Sequence, residues 1–475
     1  MTSTAAIIGG GVIGGGWAAR FLLNGWDVTI FDPDPQAERK IGEVLANARR
    51  SLPALSDVAV PIEGKLSFAA SIAEAVKDAD WIQESVPERL DLKHKTFAEI
   101  QNACRADALI GSSTSGFKPT ELQQGAANPE QIFVAHPFNP VYLLPLVELV
   151  GAETTTAKAA EVLDELGMKP LMVRKEIDAH IADRFLEAVW REALWLVKDG
   201  IATTEEIDDA IRFGFGLRWA QMGLFETYRI AGGEAGMKHF IEQFGPCLAW
   251  PWTKLMDVPE LTDELVETIA SQSDAQSGNY SIRQLERIRD DNLVVMMRAL
   301  KTRNWGAGAL LKDHDQRIKP PLPGELDKPL ETLNRIVPID WTDYNGHMNE
   351  SRYGQVFSDA GDVVMQMVGA DANYIASGLS YFTAYNNVTY REETNIGDPV
   401  RVMTQVLEAK GKKLRMYHEM MHADGRLLAT CDQLLIHVSL ETRRSCEPGP
   451  EVSAKLYALH EAQSKLPPPA SMGTR

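Results

Sequence analysis

Short apolar runs alternate with amphipathic stretches along the first third of the chain. Helical periodicity appears near residues 36–52, 92–104 and 156–167. The apolar runs that separate these stretches are residues 4–9, 27–32, 79–85, 108–113, 132–140, 144–150 and 170–174. This alternation predicts an α/β fold with a Rossmann-type parallel sheet, and we assign it to residues 1–180.

The pattern becomes purely helical after this region. Over residues 181–318, apolar side chains such as Phe185, Val189 and Val197 recur at helical spacing. We expect an all-helical domain there, one that supplies a wall of the substrate site and a dimer surface. Residues 319–329 then contain four prolines, which predicts a stiff linker over 319–330.

Residues 331–475 have a third pattern, in which one amphipathic helix at about 350–368 precedes a series of strands. The strand-like runs are residues 379–393, 399–409, 413–422 and 426–440, with turn residues between them. One helix wrapped by an antiparallel sheet is an α+β hotdog domain. The polar, proline-containing tail after Pro448 is expected to be frayed.

Composition narrows the possible partners and compartments. The net charge of −18 argues against nucleic acid and against an anionic membrane surface as partners. The four cysteines form no CxxC pair, which argues against a metal site and suits a reducing compartment. With neither a transmembrane segment nor a targeting signal evident in the sequence, we expect a cytoplasmic protein.

A glycine motif directly follows the first predicted strand. Gly9, Gly11 and Gly14 form GxGxxG, with Val12 and Ile13 between the last two glycines. Such a turn lets the backbone approach a pyrophosphate and aims the first helical N–H groups at it. Asp32 ends the second strand, where a carboxylate binds ribose hydroxyls and repels a 2′-phosphate. The motif predicts NAD as cofactor; the alternative is a glycine-rich loop without a ligand.

Three residues near the predicted strand ends can together form a hydride-transfer site. They are Ser115, His136 and Glu148. A carboxylate bonded to one imidazole nitrogen makes the other nitrogen a better base, and a neighbouring serine can hold the alcohol oxygen. From spacing alone, each also fits a structural role: a turn serine, a histidine at a strand end and a solvated glutamate.

This region resembles the 3-hydroxyacyl-CoA dehydrogenase family. The resemblance covers residues 1 to about 315 and rests on SSTS at 112–115, HPFNP at 136–140 and Glu148. It implies that Ser115, His136 and Glu148 are catalytic. Asp183 stands where the family usually has an asparagine that helps to hold the substrate oxygen. Its negative charge disfavours an anionic acyl-CoA beside it and suits a cationic substrate.

A second candidate site precedes the amphipathic helix of the last domain. Asp343, Asn345 and His347 place a carboxylate, an amide and an imidazole at alternate positions. Asp343 can activate water or attack a carbonyl, and His347 can act as a base. Capping by Asp343 or Asn349 is an equally good interpretation. The stretch resembles the D-x-N-x-H-x-N signature of hotdog thioesterases, which implies hydrolysis of an acyl-CoA thioester in a homodimer.

The combination of both halves resembles the two-domain L-carnitine dehydrogenases. That resemblance implies oxidation of L-carnitine to 3-dehydrocarnitine and hydrolysis of betainyl-CoA to glycine betaine. Three alternatives remain. One is a 3-hydroxyacyl-CoA dehydrogenase fused to an acyl-CoA thioesterase, another is an L-gulonate-type dehydrogenase or a crystallin-like structural relative, and the third is a hotdog half that only binds acyl-CoA.

The helical domain is rich in aromatic residues, which suits a quaternary ammonium ligand. Most of them are expected to be core. We select Trp219 and Tyr228 as substrate candidates because they lie by the segment from Gly214 to Gly223. The other aromatic candidates are Trp190, Trp195, Phe215, Phe225, Trp250 and Trp252.

Overall fold

The computed structural model describes residues 3–231, 236–244, 253–254, 260 and 262–473. Its contacts divide the chain into two compact units. The first unit contains Met1–Arg49 and Ile62–His314, and the second contains Arg50–Pro61 and Asp315–Arg475. Across the described ranges, no helix combines the length and the apolar character that crossing a membrane requires.

The first unit begins with alternating strands and helices. The strands are β1 (Thr4–Ile8), β2 (Asp27–Phe31), β3 (Leu66–Phe68), β4 (Trp81–Glu84), β5 (Leu109–Ser112), β6 (Ile132–Pro137), β7 (Leu146–Val150) and β8 (Lys169–Met172). The helices are α1 (Val12–Leu22), α2 (Ala37–Ser51), α3 (Ile72–Val76), α4 (Leu90–Gln101), α5 (Pro119–Leu122) and α6 (Glu153–Glu165). The predicted β–α alternation is confirmed.

These strands form one sheet in the order β3-β2-β1-β4-β5-β6-β7-β8, as far as the described residues show. The strands from β3 to β6 are parallel, β7 runs antiparallel to β6, and β8 runs parallel to β7. The Rossmann-type sheet is therefore confirmed, with a reversed edge. The reversal matters because the β6–β7 register sets His136 directly opposite Glu148.

The rest of the first unit is helical, as expected. Its described helices are α7 (Ala182–Lys198), α8 (Thr204–Ala210), α9 (Gly216–Ala231), α10 (Gly236–Phe244), α11 (Asp263–Ser277), α12 (Ile282–Thr302) and α13 (Ala307–Ile318), of which residues 315–318 already belong to the second unit. A π-helical turn at Ile211–Phe215 joins α8 to α9, and Gly214 and Gly223 have non-helical backbone angles. Several large apolar side chains of α7 are exposed, among them Phe185 and Trp190.

The second unit is a five-stranded antiparallel sheet around one long helix, within the part of the chain that the structure describes. Its elements are β9 (Leu330–Ile336), α14 (Glu350–Met367), α15 (Ala372–Ala376), β10 (Leu379–Tyr390), β11 (Pro399–Lys410), β12 (Lys413–His422), β13 (Leu427–Ser439) and α16 (Pro450–Gln463). The strand order is β10-β13-β12-β11-β9. One face of α14 is buried, which confirms the hotdog arrangement.

The prediction of a frayed tail after Pro448 is wrong. Residues 450–463 form α16, whose Val452, Leu456 and Leu459 lie in the same apolar cluster as Val406 of β11. The Gln463 amide also donates hydrogen bonds to the carbonyls of residues 326 and 328, at the end of the proline-rich stretch. The stability of α16 comes from packing against segments that are distant in the sequence. Because its own sequence is short and has a weak helical pattern, local signals did not predict it.

Residues 50–61 belong to the second unit, although they precede it by more than half the chain. The Ser56 hydroxyl donates to an Asp315 carboxylate oxygen at 2.7 Å. Asp57 accepts a hydrogen bond of 2.9 Å from the buried guanidinium of Arg335. That guanidinium also lies over the Trp341 ring, 4.0 Å from its centroid. The segment is thus held by directional contacts within the second unit.

We expect Leu456→Ala to lower the free energy of unfolding of the second unit by about 2–4 kcal/mol, because it leaves a cavity beneath α16. The neighbouring substitution Tyr457→Ala is the control, since Leu456 is 2% exposed and Tyr457 66% exposed. Denaturant unfolding monitored in the full chain gives both values. Equal and small losses for the two variants would contradict the docked position of α16.

Candidate active sites

The glycine turn after β1 has the shape required for a dinucleotide. Gly9 has φ +104°, and a Cβ at this position would lie 2.5 Å from the Ser85 carbonyl oxygen. A Cβ on Gly14 would lie 1.8 Å from the Gly9 carbonyl oxygen. In contrast, a Cβ on Gly11 would meet no atom within 4 Å, among the described residues. The turn is therefore closed against the sheet and open on the side where a pyrophosphate would bind.

The N-terminus of α1 points into the same open space. Gly11 is its N-cap and provides no side chain to bond the first helical N–H groups, which belong to Val12, Ile13 and Gly14. Such free N–H groups at the positive end of a helix bind phosphate oxygens. The glycine turn and the start of α1 thus have the geometry that binding a pyrophosphate requires.

Asp32 follows β2 immediately beside this turn. Its carboxylate oxygens accept hydrogen bonds from the backbone N–H groups of Gly10 and Asp34. The next two basic residues after Asp32 in the sequence are already paired with acids. Arg39 pairs with Glu43, and Lys40 pairs with Asp34 at 2.6 Å. A 2′-phosphate would meet the Asp32 carboxylate without a free cation of α2 to compensate, so the site fits NAD rather than NADP.

His136 and Glu148 form a buried pair at the end of the sheet. The His136 Nδ1 and Glu148 Oε2 atoms are 2.9 Å apart, and both residues are almost inaccessible to solvent. The other oxygen, Glu148 Oε1, accepts hydrogen bonds of 2.9 Å from the N–H groups of Ile181 and Ala182. Burial raises the pKa of Glu148, but these hydrogen bonds outweigh it, so that its pKa lies below the usual value. An ionised Glu148 leaves Nε2 of His136 as the free base.

Asp183 faces that free nitrogen. Its Oδ2 atom is 3.6 Å from His136 Nε2, at the start of α7. Burial raises the pKa of Asp183, the negative charge of Glu148 raises it further, and His136 opposes both. The substituted position identified from the sequence therefore lies next to the Nε2 atom of His136.

Ser115 lies on the exposed loop after β5, and in the described residues it makes no hydrogen bond. Its neighbours are firmly held by Glu88, which accepts from the Thr114 hydroxyl and from the Gly116 N–H at 3.3 Å. Burial raises the pKa of Glu88, but the Thr114 bond and the Lys93 charge lower it more. Lys93 is fully buried and lies 3.2 Å from Glu88.

The Glu88–Lys93 clamp was missed in the sequence. Lys93 also bonds the buried Glu84 at 2.8 Å, and Glu84 accepts from Ser112 at 2.5 Å. This network connects α4 to both ends of the serine-rich loop. In the sequence, Lys93 could be noticed only as a lysine on the face of α4 that packs on the sheet. Lysine side chains are rarely fully buried, so this position did not predict a buried ion pair.

The two aromatic candidates make contacts elsewhere. Trp219 packs on Phe215 with ring centroids 4.6 Å apart, and Tyr228 stacks on Phe240 at 4.7 Å. Neither ring makes a hydrogen bond or a ring contact with His136 among the described residues. Both side chains are partly exposed. The candidates Trp250 and Trp252, like Cys247, lie outside the described residues.

In the second unit, Asp343, Asn345 and His347 lie on one tight turn before α14. Asp343 Oδ1 accepts hydrogen bonds from the N–H groups of Asn345 at 2.8 Å and His347 at 3.2 Å. Gly346 provides the positive φ of 82° that the turn requires. Asp343 therefore shapes the turn with one oxygen and does not cap α14, and Oδ2 takes no part in these two bonds.

His347 has an acidic partner that sequence inspection did not identify. Its Nδ1 atom lies 3.3 Å from Glu393 Oε2, and its backbone forms a bridge with Asn395. Glu393 comes from the segment after β10, so the pairing depends on the fold rather than on spacing. Asn349 is the N-cap of α14, where its side chain accepts from the Ser351 N–H at 3.0 Å. The alternative interpretation is confirmed for Asn349.

Comparisons with known families divide the chain in the same way. The profile of "3-hydroxyacyl-CoA dehydrogenase, NAD binding domain" matches residues 4–177, and that of the C-terminal domain of the same family matches residues 180–278. The profile of the "thioesterase-like superfamily" matches residues 337–456. The two candidate sites thus lie in two separately recognised regions.

Relatives of similar length share this combination. A Ruegeria pomeroyi protein named L-carnitine dehydrogenase/betainyl-CoA thioesterase is 65% identical over 99% of both chains. An Agrobacterium fabrum protein of the same name is 54% identical over 99% of this chain and 98% of its own. Among solved structures, an NAD+-dependent dismutase, 5-formyl-3-hydroxy-2-methylpyridine 4-carboxylic acid 5-dehydrogenase, matches with a TM-score of 0.55 and 28% identity. It covers 63% of this chain and 99% of its own.

Glu148→Gln is expected to lower kcat for hydride transfer by roughly 10²- to 10⁴-fold, because a glutamine amide no longer fixes the His136 tautomer with Nε2 as base. The measurement is NAD reduction at saturating substrate. Glu153→Gln, an exposed change at the start of α6, serves as control and should retain wild-type turnover. If both variants kept wild-type kcat, His136 would not need the Glu148 carboxylate.

Proposed function

Because the chain belongs to the family of L-carnitine dehydrogenase/betainyl-CoA thioesterases, we propose that its first unit oxidises L-carnitine and its second hydrolyses betainyl-CoA. The chain is an NAD-dependent oxidoreductase and a thioester hydrolase. The observation that carries the carnitine assignment is the Asp183 carboxylate, 3.6 Å from the base nitrogen of His136. A cationic substrate compensates this charge, and an anionic one does not.

In the proposed reaction, His136 Nε2 takes the proton of the 3-hydroxyl group. Glu148 keeps the opposite nitrogen protonated and stabilises the imidazolium that results. Ser115 donates a hydrogen bond to the substrate oxygen from the loop that Glu88 holds. When bound in the glycine turn, NAD would supply the acceptor for the hydride of the same carbon. The product is 3-dehydrocarnitine.

The trimethylammonium group is the part of the substrate that needs a special site. It has no N–H and is therefore held by negative charge and by aromatic faces, at about 0.5–2 kcal/mol for each favourable aromatic contact. We assign the charge to Asp183. Trp219 and Tyr228 are the proposed aromatic contacts, supported by their partial exposure and by the π-helical turn that precedes Trp219.

For the second reaction, Asp343 is proposed as the group that activates water or attacks the thioester carbonyl. One of its oxygens is fixed by two backbone N–H groups, which holds the other in a defined direction. His347, paired with Glu393, is proposed as the base, and Asn345 as a polar contact of the acyl group. The N–H groups at the start of α14 provide the candidate oxyanion hole.

We also propose a homodimer, for which two exposed surfaces provide support. Phe185, Trp190 and further large apolar residues of α7 and α9 are open to solvent, and such patches usually mark interfaces. In the second unit, β10 is an edge strand with exposed Phe382 and Tyr385. A cytoplasmic location is proposed as well, supported by the free thiols of residues 104, 431 and 446.

NAD reduction with L-carnitine, 3-hydroxybutyryl-CoA and L-gulonate, measured side by side, tests the dehydrogenase assignment. We expect turnover with L-carnitine, and a KM for L-carnitine at least about tenfold higher in Asp183→Asn, since the variant loses the charge beside the cation. Asp178→Asn, an exposed acid nearby in sequence, is the control. Activity confined to 3-hydroxybutyryl-CoA in the wild type would overturn the carnitine assignment.

The two activities should be separable by single substitutions, because His136 and Asp343 belong to different units. His136→Ala is expected to abolish oxidation and to spare betainyl-CoA hydrolysis, whereas Asp343→Ala should do the reverse. Hydride transfer is followed by NADH absorbance and hydrolysis by release of the CoA thiol. Loss of both activities in either variant, with the chain still folded, would show that the reactions are not independent.

A further inference from the structure

His180 is a buried histidine beside the dehydrogenase site that the proposed reaction does not use. It is fully buried, and its ring centroid lies 5.6 Å from that of His136. Its Nδ1 atom is buried without a hydrogen-bond partner, among the residues that the structure describes. Burying a polar nitrogen without a hydrogen-bond partner is unfavourable. A buried, unpaired nitrogen next to a reacting imidazole indicates a partner that arrives with the substrate.

The backbone around His180 is held in an unfavourable conformation. Both Ala179 and His180 have positive φ, at 59° and 49°. Neither residue is glycine, so the surrounding structure must hold them there, and such strain clusters at binding and catalytic sites. The Ala179 N–H lies 3.5 Å from the Gly116 carbonyl oxygen, next to Ser115. This conformation places the His180 imidazole near the loop that carries Ser115.

We infer that His180 binds the carboxylate of the substrate through Nδ1, an inference that rests on the proposed function. L-carnitine carries three polar groups in a row: the trimethylammonium group, the hydroxyl group and the carboxylate. Asp183 is the proposed partner of the trimethylammonium group, and His136 is the proposed partner of the hydroxyl group. Of the side chains placed around His136, His180 has the nitrogen that is still unused.

The spacing of the groups is compatible with this assignment. In an extended carnitine the nitrogen and the carboxyl carbon lie about 5 Å apart, with the carbinol carbon between them. Around His136, Asp183 lies 3.6 Å from Nε2, and the His180 ring lies 5.6 Å from the His136 ring. An acid and an imidazole thus both lie near the base, at separations comparable with that between the charged groups of carnitine.

The protonation of His180 agrees with a role as donor. Burial lowers the pKa of His180, the neighbouring His136 imidazole lowers it further, and Glu148 and Asp183 raise it less, so that the pKa lies below its usual value and the neutral ring is favoured. Its Nε2 atom is 3.4 Å from the Thr114 carbonyl oxygen, a long and weak contact. When a carboxylate approaches Nδ1, the neutral ring can carry its proton on that nitrogen and give up the weak contact.

The test compares His180→Gln with His180→Asn in the full chain. An asparagine amide nitrogen is as many bonds from Cα as Nδ1, whereas a glutamine amide nitrogen matches Nε2. We expect His180→Gln to raise the KM for L-carnitine by about ten- to a hundredfold, as for the loss of a hydrogen bond to a charged group. His180→Asn should recover most of the affinity.

The same variants are measured with (2-hydroxypropyl)trimethylammonium, which lacks the carboxylate, as a competitive inhibitor. Its Ki should be equal in the wild type and in His180→Gln, because no contact with His180 is lost. Equal losses for both ligands, or no loss for either, would overturn the inference. NAD affinity and thermal unfolding report folding, and His180→Phe replaces the glutamine variant if that variant does not fold.

Failure of the proposed function and failure of the role of His180 give different results. A wild-type protein that does not oxidise L-carnitine removes the proposed function and this inference with it. A wild-type protein that oxidises L-carnitine, with a His180→Gln variant that still binds it normally, removes only the role of His180.

Discussion

The Glu148 carboxylate is the contact on which the dehydrogenase site depends. One oxygen fixes the His136 ring across the antiparallel β6–β7 pair, and the other accepts two backbone N–H groups at the start of α7. The base and the helix that carries Asp183 are therefore positioned by a single side chain. Because its charge is buried, any movement of either partner leaves an unpaired anion, which is costly. This cost gives the site its rigidity.

Local patterns in the sequence were sufficient for the parts of the site that are formed by neighbouring residues. The turn from Gly9 to Gly14 needs glycine for steric reasons, and Asp32 follows a clear strand, so both could be predicted. Likewise, Ser115, His136 and Glu148 were identified by matching a family pattern. His136 lies near the end of β6, Glu148 in the middle of β7, and Ser115 in the loop that follows β5.

Features that depend on distant contacts could not be predicted. The Glu88–Lys93 clamp, the pairing of His347 with Glu393 and the helix α16 each require knowledge of which segments meet. His180 was missed for another reason, since its position is defined by a strained backbone, which no side-chain pattern indicates. Sequence reasoning therefore identified the candidate reacting groups and overlooked the residues that the structure places around them.

The position of residues 50–61 has a consequence for the synthesis of the chain. Asp57 and Arg335, which pair in the second unit, are separated by 278 positions. At ordinary translation rates, roughly 15 to 55 seconds pass between the emergence of the two residues from the ribosome. During that time the part of the second unit that residues 50–61 contact has not yet been synthesised. The nascent Rossmann region must therefore fold before this segment can make its native contacts. Proteolysis at the proline-rich stretch would likewise break the covalent connection between Asp57 and Arg335, so that their pairing would depend on the two fragments staying together.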